Sequence, residues 1–137
     1  MSNLFSVFNV SGSALDVYKT WLDAVSGNIA NANDTSPTSG PAFQARYIVA
    51  QGVNGGPEGT GAGVKVAGVS LGPAGGIEVY DPSNPMADKQ GMVRKPNIDM
   101  GEQMTAMMIA QRGYEANLAV VSRAQSAYQA ALAIGNA

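Results

Sequence analysis

The sequence predicts a mainly α protein with a small β-rich insert, in which an N-terminal helix and a long C-terminal helix pack as a coiled-coil-like pair. Apolar residues recur at helical spacing near both ends of the 137-residue chain. Between these ends, frequent Gly and Pro residues favour short strands and loops over helix. We therefore expect a discontinuous helical assembly domain of residues 1–35 and 97–137, and an extended, short-strand and loop segment of residues 36–96.

The first helix is predicted to span about residues 11–33. Ser11 or Ser13 can accept a backbone N–H as the N-cap, which places the apolar residues 4–8 before the helix as a first turn or a handle for a partner. The run from Asn31 to Pro37 consists largely of residues that favour turns, so we expect the helix to end there.

The second helix is predicted from about Asp99 to Ile134. Asn97 or Asp99 can serve as its N-cap, and Glu102, three residues after Asp99, completes a capping-box pattern. At ~1.5 Å per residue this helix is about 50 Å long, which is unusual for a monomer of this size. Such a helix is expected to need partners.

Each predicted helix carries a series of apolar residues with a spacing of alternately three and four, which is typical of helices that pack lengthwise. The N-terminal series is Leu15, Tyr18, Leu22, Val25, Ile29 and Ala32. The C-terminal series is Met100, Met104, Met107, Gln111, Tyr114, Leu118, Val121, Gln125, Tyr128 and Leu132. The two Gln residues either set the register between helices or lie at a solvent edge, and the methionines either fill a core or form an adaptable packing face.

The middle of the chain is expected to contain two to four short strands. The candidate strands are Phe43–Gln51, Val64–Leu71 and Ile77–Tyr80. The Gly-rich run from Asn54 to Gly63 is expected to be the most mobile part of the chain. Asp81 and Asp88 are expected to accept hydrogen bonds within local turns, because Asp favours such turns next to Pro and Gly.

The composition argues against catalysis and cofactor binding. The chain has no His and no Cys, which excludes Ser–His and Cys–His nucleophiles and the usual zinc sites. Its ten acidic residues mostly stand singly, and no phosphate-binding glycine motif or calcium-loop spacing occurs. We therefore predict no enzyme, no cofactor and no metal.

Charge and hydropathy limit the partners. The net charge is −2 with no Lys/Arg cluster, which argues against nucleic acid, and no apolar run approaches the ~18 residues needed to cross a bilayer. The first ten residues lack the features of a cleavable signal peptide.

Only 13% of residues are charged, which suggests that neighbours cover part of the surface, although a Ser/Asn/Gln-rich monomer surface is the alternative. A self-contained helical protein-binding module also remains open at this point.

Three phrases resemble the axial (rod and hook) proteins of the bacterial flagellum. They are Ser26-Gly-Asn28-Ile-Ala-Asn31-Ala, the segment from Tyr80 to Asp99 with its Asp-Pro-Ser-Asn-Pro-Met-Ala-Asp core, and Arg112-Gly-Tyr114-Glu-Ala-Asn117. The middle phrase is similar to the proximal rod proteins in particular. Two departures are Met92, where Tyr is usual, and Gly113, where Ala or Ser is more common and which should loosen the helix somewhat.

The resemblance implies a rod subunit that polymerises helically through its terminal helices, links the membrane-embedded base to the distal rod, transmits torque and surrounds the export channel. The implied partners are other copies of the chain, other rod proteins, the type III export apparatus and the membrane-ring base, at a periplasmic location reached without a cleaved signal. The predicted subunit interface comprises Leu15, Tyr18, Leu22, Val25, Asn28, Ile29, Asn31, Met104, Met107, Gln111, Tyr114, Asn117, Leu118, Val121, Gln125, Tyr128 and Leu132.

Overall fold

The computed structural model of the chain describes residues 2–55 and 62–135, with side chains from residue 6 onward. In chain order its elements are α1 (Ser2–Ala30), β1 (Arg46–Gly52), β2 (Val64–Leu71), β3 (Ile77–Tyr80), β4 (Met92–Lys95) and α2 (Met100–Gly135). Two helices thus contain about half of the chain, and two antiparallel two-stranded sheets lie between them in sequence. The predicted mainly α architecture with a β-rich insert is confirmed. Most of the loop from Asn54 to Gly63 falls on residues 56–61, outside the described residues.

Helix α1 begins at Ser2 rather than at residue 11, so the predicted N-cap was wrong. Ser11 is buried and Ser13 lies within the helix, where its hydroxyl donates to the carbonyl of Val10 at 2.8 Å. A Ser hydroxyl bonded to a preceding carbonyl is compatible with a helix interior, so it does not have to mark a helix start. The segment 4–8 therefore belongs to the helix backbone instead of preceding it.

The other helix ends lie where the sequence predicted them. Helix α1 stops at Ala30, and the Asn31 side chain then donates to the Gly27 carbonyl at 2.7 Å, satisfying one of the carbonyl groups left free at a helix end. At the start of α2, the carboxylate of Asp99 accepts the backbone N–H of Glu102 at 3.0 Å. This is the geometry of an N-cap, so the predicted capping by Asp99 is confirmed.

The two helices pack antiparallel along their length. The side chain of Asn28 contacts that of Gln103, and the ring of Tyr18 lies against Gly113. Tyr18 comes ten residues before Asn28, whereas Gly113 comes ten residues after Gln103, so the two helices run in opposite directions. The contact line on α2 is made of small or polar residues, with Gln103, Ala110 and Ala124 buried. Small residues let two helix axes approach closely, and several larger apolar side chains of α2, such as Met104, Leu118 and Leu132, remain outside the contact.

The β1–β2 hairpin packs on α1. Its register places Ile48 opposite Val69 and Ala50 opposite Val66, so a bulge leaves Ala67 without a partner. The β3–β4 hairpin packs on neither helix but is joined to the segment after α1. There, Ser36 and Arg94 exchange backbone hydrogen bonds of 2.9 and 2.8 Å. The Arg94 guanidinium also donates to the Gly40 carbonyl and to the Glu78 carboxylate, at 2.8 and 3.3 Å.

Two helical glycines should respond oppositely to substitution. A Cβ added at Gly27 would meet no atom within 4 Å, whereas one at Gly113 would overlap the ring of Tyr18. Gly27→Ala should therefore raise the free energy of unfolding by about 0.5–1 kcal/mol through helix propensity alone. Gly113→Ala should lower it by about 1–3 kcal/mol, because overpacking outweighs the same propensity gain.

Urea unfolding of both variants beside the unsubstituted chain checks this pair of expectations. A stabilising Gly113→Ala would show that the ring of Tyr18 does not rest on that glycine.

Candidate subunit interface

Asn28 connects three separate segments through its side-chain amide. Its Nδ2 donates to the carbonyl of Arg46 and to Oε1 of Gln103, both at 2.9 Å, and its Oδ1 accepts the backbone N–H of Arg46 at 2.8 Å. Both Asn28 and Gln103 are buried. The end of α1, the first residue of β1 and the first turns of α2 are therefore held at one point, which we call the Asn28 junction.

An aromatic pair lies further along the helix contact. Tyr18 and Trp21 are stacked, with ring centroids 6.2 Å apart and planes inclined by 21°. Tyr18 occupies the space that Gly113 leaves open. This glycine therefore makes room for a side chain of α1, in addition to any loosening of α2. Asn117 lies nearby, and its amide donates to the Gly113 carbonyl at 2.8 Å.

The connection between β3 and β4 is ordered by two aspartates, as the sequence predicted. Oδ1 of Asp81 accepts the Ser83 hydroxyl at 2.9 Å, and Asn84 also donates to this carboxylate. These hydrogen bonds, chiefly that of Ser83, lower the pKa of Asp81 below its ordinary value.

Asp88 plays the same part at the other end of this connection. Its carboxylate accepts the backbone N–H groups of Met92 and Gln90 and the hydroxyl of Thr38, all at 2.9 Å. The Met92 N–H is the main cause of a lowered pKa at Asp88. The Thr38 bond ties the turn to the segment that follows α1.

The structure places the predicted interface residues in three environments. Val25 and Asn28 are buried inside the chain. Half-buried are Leu15, Tyr18, Leu22, Ile29, Asn31, Met107, Tyr114, Asn117 and Val121. Exposed are Met104, Gln111, Leu118, Gln125, Tyr128 and Leu132. The N-terminal set thus serves packing within the chain at least in part, while the C-terminal set lies largely at the surface.

The helix contact within the chain includes Met107, Tyr114 and Val121 of the predicted series, but its most buried residues lie one position before the exposed members of that series. Gln103, Ala110 and Asn117 face α1, whereas Met104, Gln111 and Leu118 follow them by one position, about 100° around the helix. Sequence reasoning did not include Gln103 or Ala110 in the packing series, because a Gln and a small Ala stand out little in a pattern of large apolar residues. Their sevenfold spacing, continued by Ala124, is the only signal that marked them.

Other features of the described chain bear on function. Across residues 2–55 and 62–135, no three Asp or Glu side chains are grouped so that they would hold a metal ion. Neither α1 nor α2, as far as described, combines the length and apolar character that a membrane crossing requires. What the fold does present is a helix pair whose longer helix leaves several large apolar side chains exposed.

Known proteins resemble the chain over nearly its full length. A family model described as "Flagellar basal body rod FlgEFG protein C-terminal" matches residues 89–134. The flagellar basal-body rod protein FlgC of Escherichia coli O6:H1 (strain CFT073) is 36% identical over 132 residues, which cover 96% of this chain and 98% of that protein. The same protein of Salmonella typhimurium (strain LT2) gives the same identity and coverage. That of Borreliella burgdorferi (strain B31) is 36% identical over 147 residues, covering 96% and 97%.

These likenesses define the class first: the chain is a structural protein of the bacterial flagellar basal-body rod. Within that class the full-length relatives share one name. The chain belongs to the FlgC family of rod proteins, as its Asn28, Asp81–Asp88 and Asn117 phrases indicated.

Acid should weaken the fold through Asp81 and Asp88. Since their pKa values are lowered in the folded chain, their contribution to stability is complete above the unfolded value of about 3.9. It is lost as the pH falls from there through the lowered folded values. The urea midpoint should therefore decline in this range, and Asp88→Asn should both lower the midpoint at neutral pH and flatten the acid decline.

Urea unfolding of the two proteins between about pH 6 and pH 2.5 measures this dependence. Parallel pH profiles for the unsubstituted chain and Asp88→Asn would contradict the assigned role of the Asp88 carboxylate.

Proposed function

We propose that this chain polymerises helically within the rod through its terminal helices, surrounding the export channel, linking the membrane-embedded base to the distal rod and transmitting torque. The single observation that carries the proposal is the row of large apolar side chains left exposed on α2. Met104 is 57% exposed, Leu118 50% and Leu132 49%. A soluble monomer rarely leaves so many large apolar side chains of one helix uncovered.

The exposed row follows one side of α2 for most of its length. Met104, Gln111, Leu118, Gln125 and Leu132 are each separated by seven residues, the spacing of a lengthwise helix contact. We call this series the outer row. Its helix has 36 residues, so the row is some 40 Å long at ~1.5 Å per residue. This length suits lateral packing of parallel neighbours in a tube.

Helix α1 contributes to the same kind of surface. Ser13 and Thr20 line a depression with Val64 and Val66 of β2, so they mark the side of α1 that faces the hairpin. Leu15 and Leu22 follow them by two residues, about 200° around the helix, and therefore point away from the hairpin. Their half-buried side chains favour a second helical neighbour on that side.

These surfaces assign different roles to the terminal helices and to the middle of the chain. The helical assembly domain, residues 1–35 and 97–137, makes the inner tube, and residues 36–96 make contacts farther from the axis. The Asn28 junction and the Ser36–Arg94 connection join the two parts, as torque transmission requires. Contacts of this heterologous kind generate an open helical filament when the rotation between subunits does not close.

The partners follow from the proposed position. They are other copies of this chain, other rod proteins and, at the base, the membrane-ring components. We propose export through the flagellar type III apparatus to the periplasmic rod.

A charge placed in the outer row should block assembly. Leu118→Asp puts a carboxylate on the exposed row without disturbing the contact with α1. Ala116→Asp is the matched control, because Ala116 is also exposed, receives the same charge and lies about 160° away around the helix. In a flagellated strain lacking its own copy, we expect Leu118→Asp to reduce complete rods and motility at least tenfold, and Ala116→Asp to retain most of both.

Circular dichroism of both purified variants establishes that each still folds. Motile cells with complete rods in the Leu118→Asp strain would contradict the proposal, and equal losses in the two strains would deny the outer row any special role.

A further inference from the structure

The β1–β2 hairpin has two edges, each occupied by a side chain at one end only. On β1, the Asn28 amide binds the outward-facing N–H and C=O of Arg46. On β2, the hydroxyl of Ser13 accepts the outward-facing N–H of Val64 at 3.0 Å. These side chains take the places that another strand would fill, and no other described residue pairs with the rest of either edge.

The unpaired positions follow from the register. In an antiparallel pair, outward-facing residues alternate with inward-bonded ones, so Ile48 and Ala50 face outward as Arg46 does. Opposite residues share this orientation, so Val69, opposite Ile48, and Leu71, opposite Arg46, also face outward. Among the described residues, no donor or acceptor reaches these four main-chain positions.

The free edge of β2 carries two exposed apolar side chains. Val69 is 50% exposed and Leu71 is 56% exposed. Because opposite residues lie on the same face of a sheet, both project from the face that carries Ile48 and packs on α1. About half of each side chain is open to solvent, and neither strand segment involved carries an acidic residue.

The free edge of β1 borders an apolar cleft. This cleft of about 330 Å³ lies between the hairpin and the helices, and its lining includes Ile48 and Ala50 of β1, Val64 of β2, Tyr18 and Trp21 of α1 and Asn117 of α2. None of its lining residues is charged. Strand β1 does not pack against α2, so the cleft is open between them.

We propose that hairpins of successive copies join edge to edge, with β2 of one copy pairing antiparallel with β1 of the next. Val69 and Leu71 of the first copy then project into the cleft beside Tyr18 of the second. This inference rests on the proposed polymerisation. A second copy is the occupant because one chain carries both halves of the contact: an uncharged cleft beside one free edge and two exposed apolar side chains on the other.

The geometry suits a filament. A small rotation between neighbours preserves strand direction, and β1 is already antiparallel to its own β2, so the joined sheet is antiparallel throughout. The two edges differ, so the contact is heterologous and need not close. The register that pairs Ala50 with Val69 of the neighbour also pairs Ile48 with its Leu71.

Engineered disulfides test this pairing, because the natural chain has no cysteine. Two differently tagged copies, one with Ala50→Cys and one with Val69→Cys, are co-expressed in a flagellated strain lacking its own copy, and basal bodies are purified after mild oxidation. Paired strands place these Cα atoms about 5.5 Å apart, within disulfide range. The matched control joins Val49→Cys with Val69→Cys, because Val49 is adjacent and similarly exposed but projects from the opposite face.

We expect the Ala50–Val69 pair to give at least tenfold more cross-linked dimer carrying both tags than the Val49–Val69 pair. Equal yields in basal bodies that contain both tags would overturn the edge pairing while leaving the proposed function intact. Predominant cross-links between two copies that carry Ala50→Cys would also overturn it, because they would indicate that two β1 edges pair symmetrically. Absence of the chain from basal bodies would overturn both.

A second pair of variants answers the same question without cysteines. Val69→Asp introduces a charge that must enter the apolar cleft of the neighbour, whereas Val49→Asp introduces it on the other face. We expect Val69→Asp to lose at least tenfold in complete rods and Val49→Asp to retain them. Normal rods with Val69→Asp would contradict the inference.

Discussion

The buried amide of Asn28 is the interaction on which the rest of the structure depends. It pairs with the main chain of Arg46 and the side chain of Gln103, so one residue fixes where α1 ends, where β1 begins and how α2 is aligned. Each buried polar group left unpaired costs about 1–3 kcal/mol. Loss of this amide would leave polar groups of both Arg46 and Gln103 without a hydrogen-bond partner. Against a typical stability of about 5–15 kcal/mol, that is a large fraction.

The exposed surfaces follow from how the interior is filled. The helix contact beyond the junction uses Gly113, Ala110 and Ala124, which bring the helices close but leave larger residues such as Met104 and Leu118 outside. The same junction sets the first position of β1, so it also determines which main-chain groups of the hairpin remain open. One packing arrangement therefore brings the two helices close together and leaves apolar side chains of α2 exposed.

Local signals made most of the fold predictable. The end of α1, the cap of α2 by Asp99 and the turns at Asp81 and Asp88 depend on residues within four positions of each other. The start of α1 was not predictable from Ser11, because its burial against the rest of the chain overrides its capping preference. The choice of Gln103 and Ala110 over Met104 and Gln111 depends on contacts with α1 some 75 residues away in sequence, which periodicity does not register.

Hydrogen exchange at the edge of β1 tests the role of the Asn28 junction most directly. Arg46, Ile48 and Ala50 all direct their N–H groups away from β2, but only that of Arg46 is bonded, to Oδ1 of Asn28. In the dilute, unassembled chain, the Arg46 amide should exchange at least tenfold more slowly than those of Ile48 and Ala50, and Asn28→Ala should abolish the difference. An Arg46 amide that exchanges as fast as the other two, or that stays protected in Asn28→Ala, would contradict the account.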